Sequence, residues 1–212
     1  MNAANKFKHP VGPHERDWIV PIAQHEVGHY IAARVLGFRT GPISLTVLDF
    51  NRAHHATAEI TLFCGLTDLQ SIEDYLERRI TVLYSGALAE SLSNGQVDNA
   101  LAIESLTKGG AKSDFDKARE LIQTLRNIRF PDATIENEVQ ANLDALDNQL
   151  WNKAAEIVTA ESTIIQGLGR RLAGDVKHTN EKVTLSHEEL EGLPVIRNRF
   201  GSQAPVAPRS AA

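Results

Sequence analysis

The chain has 212 residues, with 22 basic and 27 acidic side chains and a formal net charge of −5 at pH 7. Hydrophobic residues make up 42% and charged residues 23%, an ordinary globular composition that excludes a wholly disordered chain. The acidic balance and the shortness of the basic clusters (Arg78-Arg79, Arg170-Arg171, Arg197 to Arg199) argue against nucleic acid as the main ligand.

Residues 1–16 are polar and carry Pro10, Gly12 and Pro13, which predicts a flexible lead-in. They contain no apolar stretch of the secretory kind. A helix is expected from Asp17, with Pro21 tolerable in its first turn and Gly37 ending it. Its apolar run, Trp18 to Ala23, is far short of the ~20 residues that cross a bilayer, so no membrane partner is expected. Residues 43–49 and 56–63 alternate apolar and polar side chains, which predicts an antiparallel pair of strands. On this reading Cys64 ends a strand as a buried structural thiol, and His54 and His55 lie in the solvated hairpin loop. A single cysteine permits no internal disulfide and fits a reducing, cytoplasmic location.

A helix over 68–93 is predicted from Leu69, Ile72, Leu76, Ile80, Leu83 and Ala87, spaced three or four apart. After the glycines at 109 and 110 another helix starts near Asp114, and the longest follows Pro131. A shorter helix carries Ile164, Ile165, Leu168 and Leu172. Ser186-His-Glu-Glu189 has the form of a capping box. The fold class expected is α+β, mainly α-helical, with a small antiparallel sheet and a C-terminal helical part. The main domain is expected over 17–195, with a disordered tail over 196–212.

The chemistry concentrates in His25-Glu26-Val27-Gly28-His29. Helical positions four apart lie one turn above each other, so His25 and His29 can grip one metal ion at about 2.0–2.1 Å per bond. Glu26 points beside the ion, where it can take a proton from the attacking water as general base. With 8 His and 16 Glu in the chain, a random order would produce this pattern roughly 0.02 times. A surface helix with two solvated histidines is the competing reading, and the apolar surroundings of the motif weigh against it. A catalytic zinc site needs a third protein ligand. Spacing alone leaves Glu90 and Asp114 both open.

The motif Ala23-Gln-His-Glu-Val-Gly-His-Tyr-Ile-Ala32 resembles the zinc-binding helix of the FtsH-type, AAA-associated metallopeptidases. Gly41-Pro-Ile-Ser-Leu-Thr-Val47 is similar to that family's next strand. Arg79-Ile-Thr-Val-Leu-Tyr-Ser-Gly-Ala-Leu-Ala-Glu90 is similar to its "I-x-x-x-L-G-G-R-A-A-E" helix, with Tyr84, Ser85 and Leu88 among the departures. Gly109-Gly-Ala-Lys-Ser-Asp-Phe-Asp-Lys-Ala118 resembles its "T-G-A-x-N-D-x-x-x-A" segment, and Val183-Thr-Leu-Ser-His-Glu-Glu-Leu190 its "E-T-L-x-x-x-E-I" stretch.

The resemblance implies a zincin-like domain with one Zn2+ per chain, held by His25, His29 and Asp114, with Glu26 as base and Glu90 as a nearby carboxylate. It further implies an endopeptidase with a homo-oligomer as partner; because no ATPase module accompanies the motif, unfolded or flexible protein segments are the expected substrates, and a separate AAA ATPase is the expected partner for delivering others. The chain carries no phosphate loop of the form G-x-x-x-x-G-K-[ST], because Lys108-Gly-Gly-Ala-Lys112 has the wrong spacing. The expectation is therefore a peptidase domain standing alone, its substrate extended along the sheet edge within residues 43–62. Two other readings share the motif. One is a zinc-stabilised adaptor with weak or lost activity, and the other is a peptidase dedicated to one regulatory partner.

Overall fold

The computed structural model describes residues 7–203; the rest of the expected lead-in and tail lies outside them. The first helix, α1, spans Pro13–Val35 and so begins four residues before Asp17. Pro13 occupies its first turn, where a missing N–H costs nothing, and the Glu15 carboxylate accepts the Gly12 N–H at 2.9 Å. The lead-in is correspondingly shorter than expected. Val11 is buried, its N–H bonds the Lys177 carbonyl, and Arg16 donates to the carbonyls of Ala173, Gly174 and Val176. Pro21 consequently falls inside the helix and not in its first turn. The carbonyl it cannot serve belongs to Asp17, an exposed residue, so the helix continues without a buried orphan. Gly37, at φ +79°, follows the helix end as expected.

Strand β1 (Arg39–Val47) pairs antiparallel with β2 (His54–Thr61), and a third strand, β3 (Lys182–Leu185), adds antiparallel to the other side of β1. The order β2-β1-β3 leaves β2 on an edge. The expected hairpin is present but shifted, since β2 starts at His54 and takes both histidines out of the loop. Cys64 is a correction: it is exposed, beyond the end of the strand. Thr61 pairs with Arg39, the first residue of β1, so residues from 62 onward have no strand to pair with.

The seven described helices after α1 are long or short variations on one scheme, apolar residues turned to a shared core. Helix α2 (Leu69–Glu90) starts at Asp68, whose carboxylate accepts the Ser71 N–H at 2.8 Å. Helix α3 (Asn99–Lys108), which the periodicity did not announce, is capped by Asp98. Helices α4 (Lys112–Arg129), α5 (Glu136–Ala160) and α6 (Ser162–Asp175) follow where expected. The capping box at Ser186 opens α7 (His187–Gly192): the Ser186 hydroxyl accepts the Glu189 N–H and the Glu189 carboxylate accepts that of Ser186.

The tail expected from residue 196 is instead folded through Gln203. Helix α8 (Pro194–Phe200) buries Ile196 completely, Arg199 reaches the Glu161 carboxylate at 2.6 Å, and the Gln203 amide donates to the Phe38 carbonyl at 3.0 Å. The architecture is α+β, mainly helical, with one small antiparallel sheet. Among the described residues no helix is long and apolar enough to cross a membrane.

If α8 belongs to the core, Ile196→Ala should lower unfolding free energy by about 2–4 kcal/mol in a urea titration, the usual cost of emptying a buried isoleucine site. A loss near zero would return this segment to the tail.

Candidate metal centre

Helices α1 and α2 pack so closely that two glycines are required between them. A Cβ on Gly28 would lie 2.4 Å from the Ala89 Cβ and 2.6 Å from the Ser85 carbonyl oxygen. A Cβ on Gly86 would lie 2.4 Å from His29 Cε1 and 2.8 Å from His25 Nε2. The room that Gly28 leaves is thus taken by another helix, while Gly86 forms a floor on which both imidazoles rest.

Each imidazole is aimed by its other nitrogen. His29 Nδ1 lies 2.8 Å from the Val82 carbonyl oxygen, which accepts from it, and His25 Nδ1 lies 3.0 Å from a Glu90 carboxylate oxygen. That oxygen also accepts from the Ser105 hydroxyl at 2.7 Å. Both Nε2 atoms then face one point, 3.0 Å apart. Asp114, in the first turn of α4, brings one carboxylate oxygen to 3.3 Å from His25 Nε2 and 3.1 Å from His29 Nε2. Glu90 therefore meets His25 on the ring edge opposite Asp114. The structure brings His25, His29 and Asp114 together as three convergent donors.

This donor set fits zinc. Ligands at ~2.0–2.1 Å around a tetrahedral ion stand about 3.3–3.4 Å apart, and the three separations here are within a few tenths of that. With both Nδ1 atoms donating, two imidazole lone pairs and a carboxylate converge on one point. Such a point holds a proton or a cation, since bare lone pairs at these distances repel.

The electrostatics of the site favour a proton there in the absence of a cation. Burial alone lowers the pKa of His25, but hydrogen bonds to Asp114 and Glu90 and the charges of Glu26 and Glu90 push it up to about 10. Burial raises the Asp114 carboxyl, yet hydrogen bonds to His25 and His29 and their charges hold it well below the usual carboxylate range. Glu90 is likewise lowered against its burial, mainly by His25. By linkage, the His25 contribution to metal-free stability is complete below about pH 6.5 and fades as pH rises through about 10.

The donors open into a cleft of about 470 Å³ between the β2 edge and helices α1, α2 and α4. Glu26 lines it one residue from His25, half-buried and without a hydrogen-bond partner among the described residues. His54 and His55 line it too, which their predicted loop position did not suggest. Arg79 is a further lining residue that the sequence reading passed over. Cys64 is not among the donors. No protein-family model matches the chain, and no curated protein matches it by sequence.

Zinc binding requires the His25 lone pair, so at pH 7 it should release about one proton per ion from His25. Calorimetry in buffers of different ionisation enthalpy measures this directly; heats independent of buffer would contradict it. Removing the group that aims His25, by Glu90→Ala, should weaken zinc affinity about 10- to 100-fold in a chelator competition. An unchanged affinity would make the Glu90 contact incidental.

Proposed function

We propose that the protein is a zinc-dependent endopeptidase with a zincin-like domain, similar to the FtsH-type metallopeptidases, that hydrolyses unfolded or flexible protein segments. The observation that carries this reading is the placement of a free carboxylate, Glu26, in the same cleft as three donors spaced for zinc. A purely structural zinc site has no use for such a carboxylate and prefers four protein ligands.

In this reading the Nε2 atoms of His25 and His29 and one Asp114 carboxylate oxygen would hold the ion. Zinc, when bound, supplies Lewis acidity, polarising the scissile carbonyl and making water acidic near pH 7. Glu26 accepts a proton from the attacking water on one carboxylate oxygen and delivers it to the leaving amine nitrogen. Val82 and Glu90 keep the two imidazoles from turning, so the donors would need to shift by only a few tenths of an ångström to take the ion. The open edge of β2 lies along the cleft and offers its backbone to an extended peptide, a mode of docking that reads little sequence and suits flexible chains.

The substrate is protein or peptide, and a separate ATPase is the partner that would deliver folded ones. Glu26→Gln should retain one zinc per chain while lowering casein or fluorogenic-peptide turnover by at least about 100-fold, the usual contribution of a general base. Chelator should abolish wild-type activity and added zinc restore it. Full turnover in the Glu26→Gln protein would remove the base, and activity indifferent to chelator would remove the metal.

A further inference from the structure

The cleft contains a cation, Arg79, to which the peptidase mechanism gives no task and which has no ion-pair partner among the described residues. Arg79 stands one turn before Leu83 on α2, in line with Gly86 and Glu90, and so opens into the same cleft as the metal donors. The other arginines around it are engaged. Arg78 donates to the carbonyls of Asp74 and Leu36 and lies 5.3 Å over the Phe38 ring. Arg129 is paired with Glu73 and Glu77 at 2.8 Å. Lys117, also in the cleft, is 3.8 Å from the second oxygen of Asp114.

Arg79 has none of this. It is half-buried, and among the described residues no carboxylate oxygen lies within 4.0 Å of its guanidinium and no hydrogen bond is made to it. The acid whose charge it senses is Asp114, already taken by two imidazoles. A guanidinium partly withdrawn from water and left without a counter-ion is costly, and the anion that best matches its planar fork is a carboxylate. Ile60, Leu62 and Leu83 line the same cleft and offer apolar surface for the stem that carries such a group.

We propose that Arg79 is a specificity determinant that binds a carboxylate of the substrate and directs cleavage to acidic peptides. The carboxylate is either an Asp or Glu side chain near the scissile bond or a free C-terminus. This inference rests on the peptidase reading, and its test separates the two. Fluorogenic peptides that differ only by Glu or Gln at each position flanking the cut, and short peptides with a free or amidated C-terminus, are compared with zinc-loaded protein. The acidic member of one series should have a kcat/KM at least about tenfold higher, the size expected of a hydrogen bond to a charged group. In Arg79→Met that ratio should fall toward one, and Arg79→Lys should restore part of it. The series that responds identifies the carboxylate's source.

A wild-type ratio near one overturns the assignment. So does a ratio that survives Arg79→Met, or an equal loss for acidic and neutral peptides in a variant of wild-type melting temperature and zinc content. Fluorescence anisotropy of the same peptides on zinc-loaded Glu26→Gln protein, with and without Arg79→Met, reads binding without hydrolysis. If no peptide is cleaved by the wild type, the peptidase reading fails. The Arg79 inference then stands or falls on whether acidic peptides still bind about tenfold more tightly only when Arg79 is present.

Discussion

The convergence of His25, His29 and Asp114 depends on how near α2 comes to α1. Because Gly28 and Gly86 carry no side chains, the backbone of α2 lies against the imidazoles and its Val82 carbonyl can accept from His29. One turn beyond Gly86, Glu90 reaches His25. Two histidines on an isolated helix would rotate freely about their side-chain bonds. Here each has one nitrogen tied to α2, which leaves the other to point at a common site. The helix pair is both the centre of the hydrophobic core and the frame of the site, so stability and donor geometry are set by the same contact.

Electrostatics follow from that frame. Three carboxylates, Glu26, Glu90 and Asp114, surround two imidazoles in a partly buried cleft, and an acidic site of this kind attracts a cation more strongly than a solvated His pair would. The raised His25 pKa and the lowered Asp114 pKa express the same fact in the metal-free protein: the cluster is built around a positive charge. A proton and a divalent cation would compete for that one place.

Much of this could be read from local patterns. The His-Glu-x-x-His spacing fixed a shared helix face, apolar spacing found α2, the Ser186 capping box marked a helix start, and alternation found the β1–β2 pair. What escaped depends on distant contacts. Glu90 and Asp114 stand 65 and 89 residues from His25, and no spacing rule tells which ring nitrogen each would meet. β3 has four residues, too few for alternation to register, and becomes a strand because β1 offers it an edge. The segment 196–203 reads as a tail by composition, yet Ile196 and Gln203 are held by α8 packing and by Phe38 at the start of the sheet. Cys64 shows the reverse case, an apolar run that outlasts its pairing partner and is left exposed.

The central claim is that a divalent cation sits between His25, His29 and Asp114. Anomalous diffraction from zinc-supplemented crystals, recorded on both sides of the zinc absorption edge, locates the ion without reference to activity. The account requires a single strong peak at bonding distance from both Nε2 atoms and one Asp114 oxygen, with Glu90 still on His25 Nδ1. A peak coordinated by Glu90 in place of Asp114, or no peak in this cleft, would contradict it.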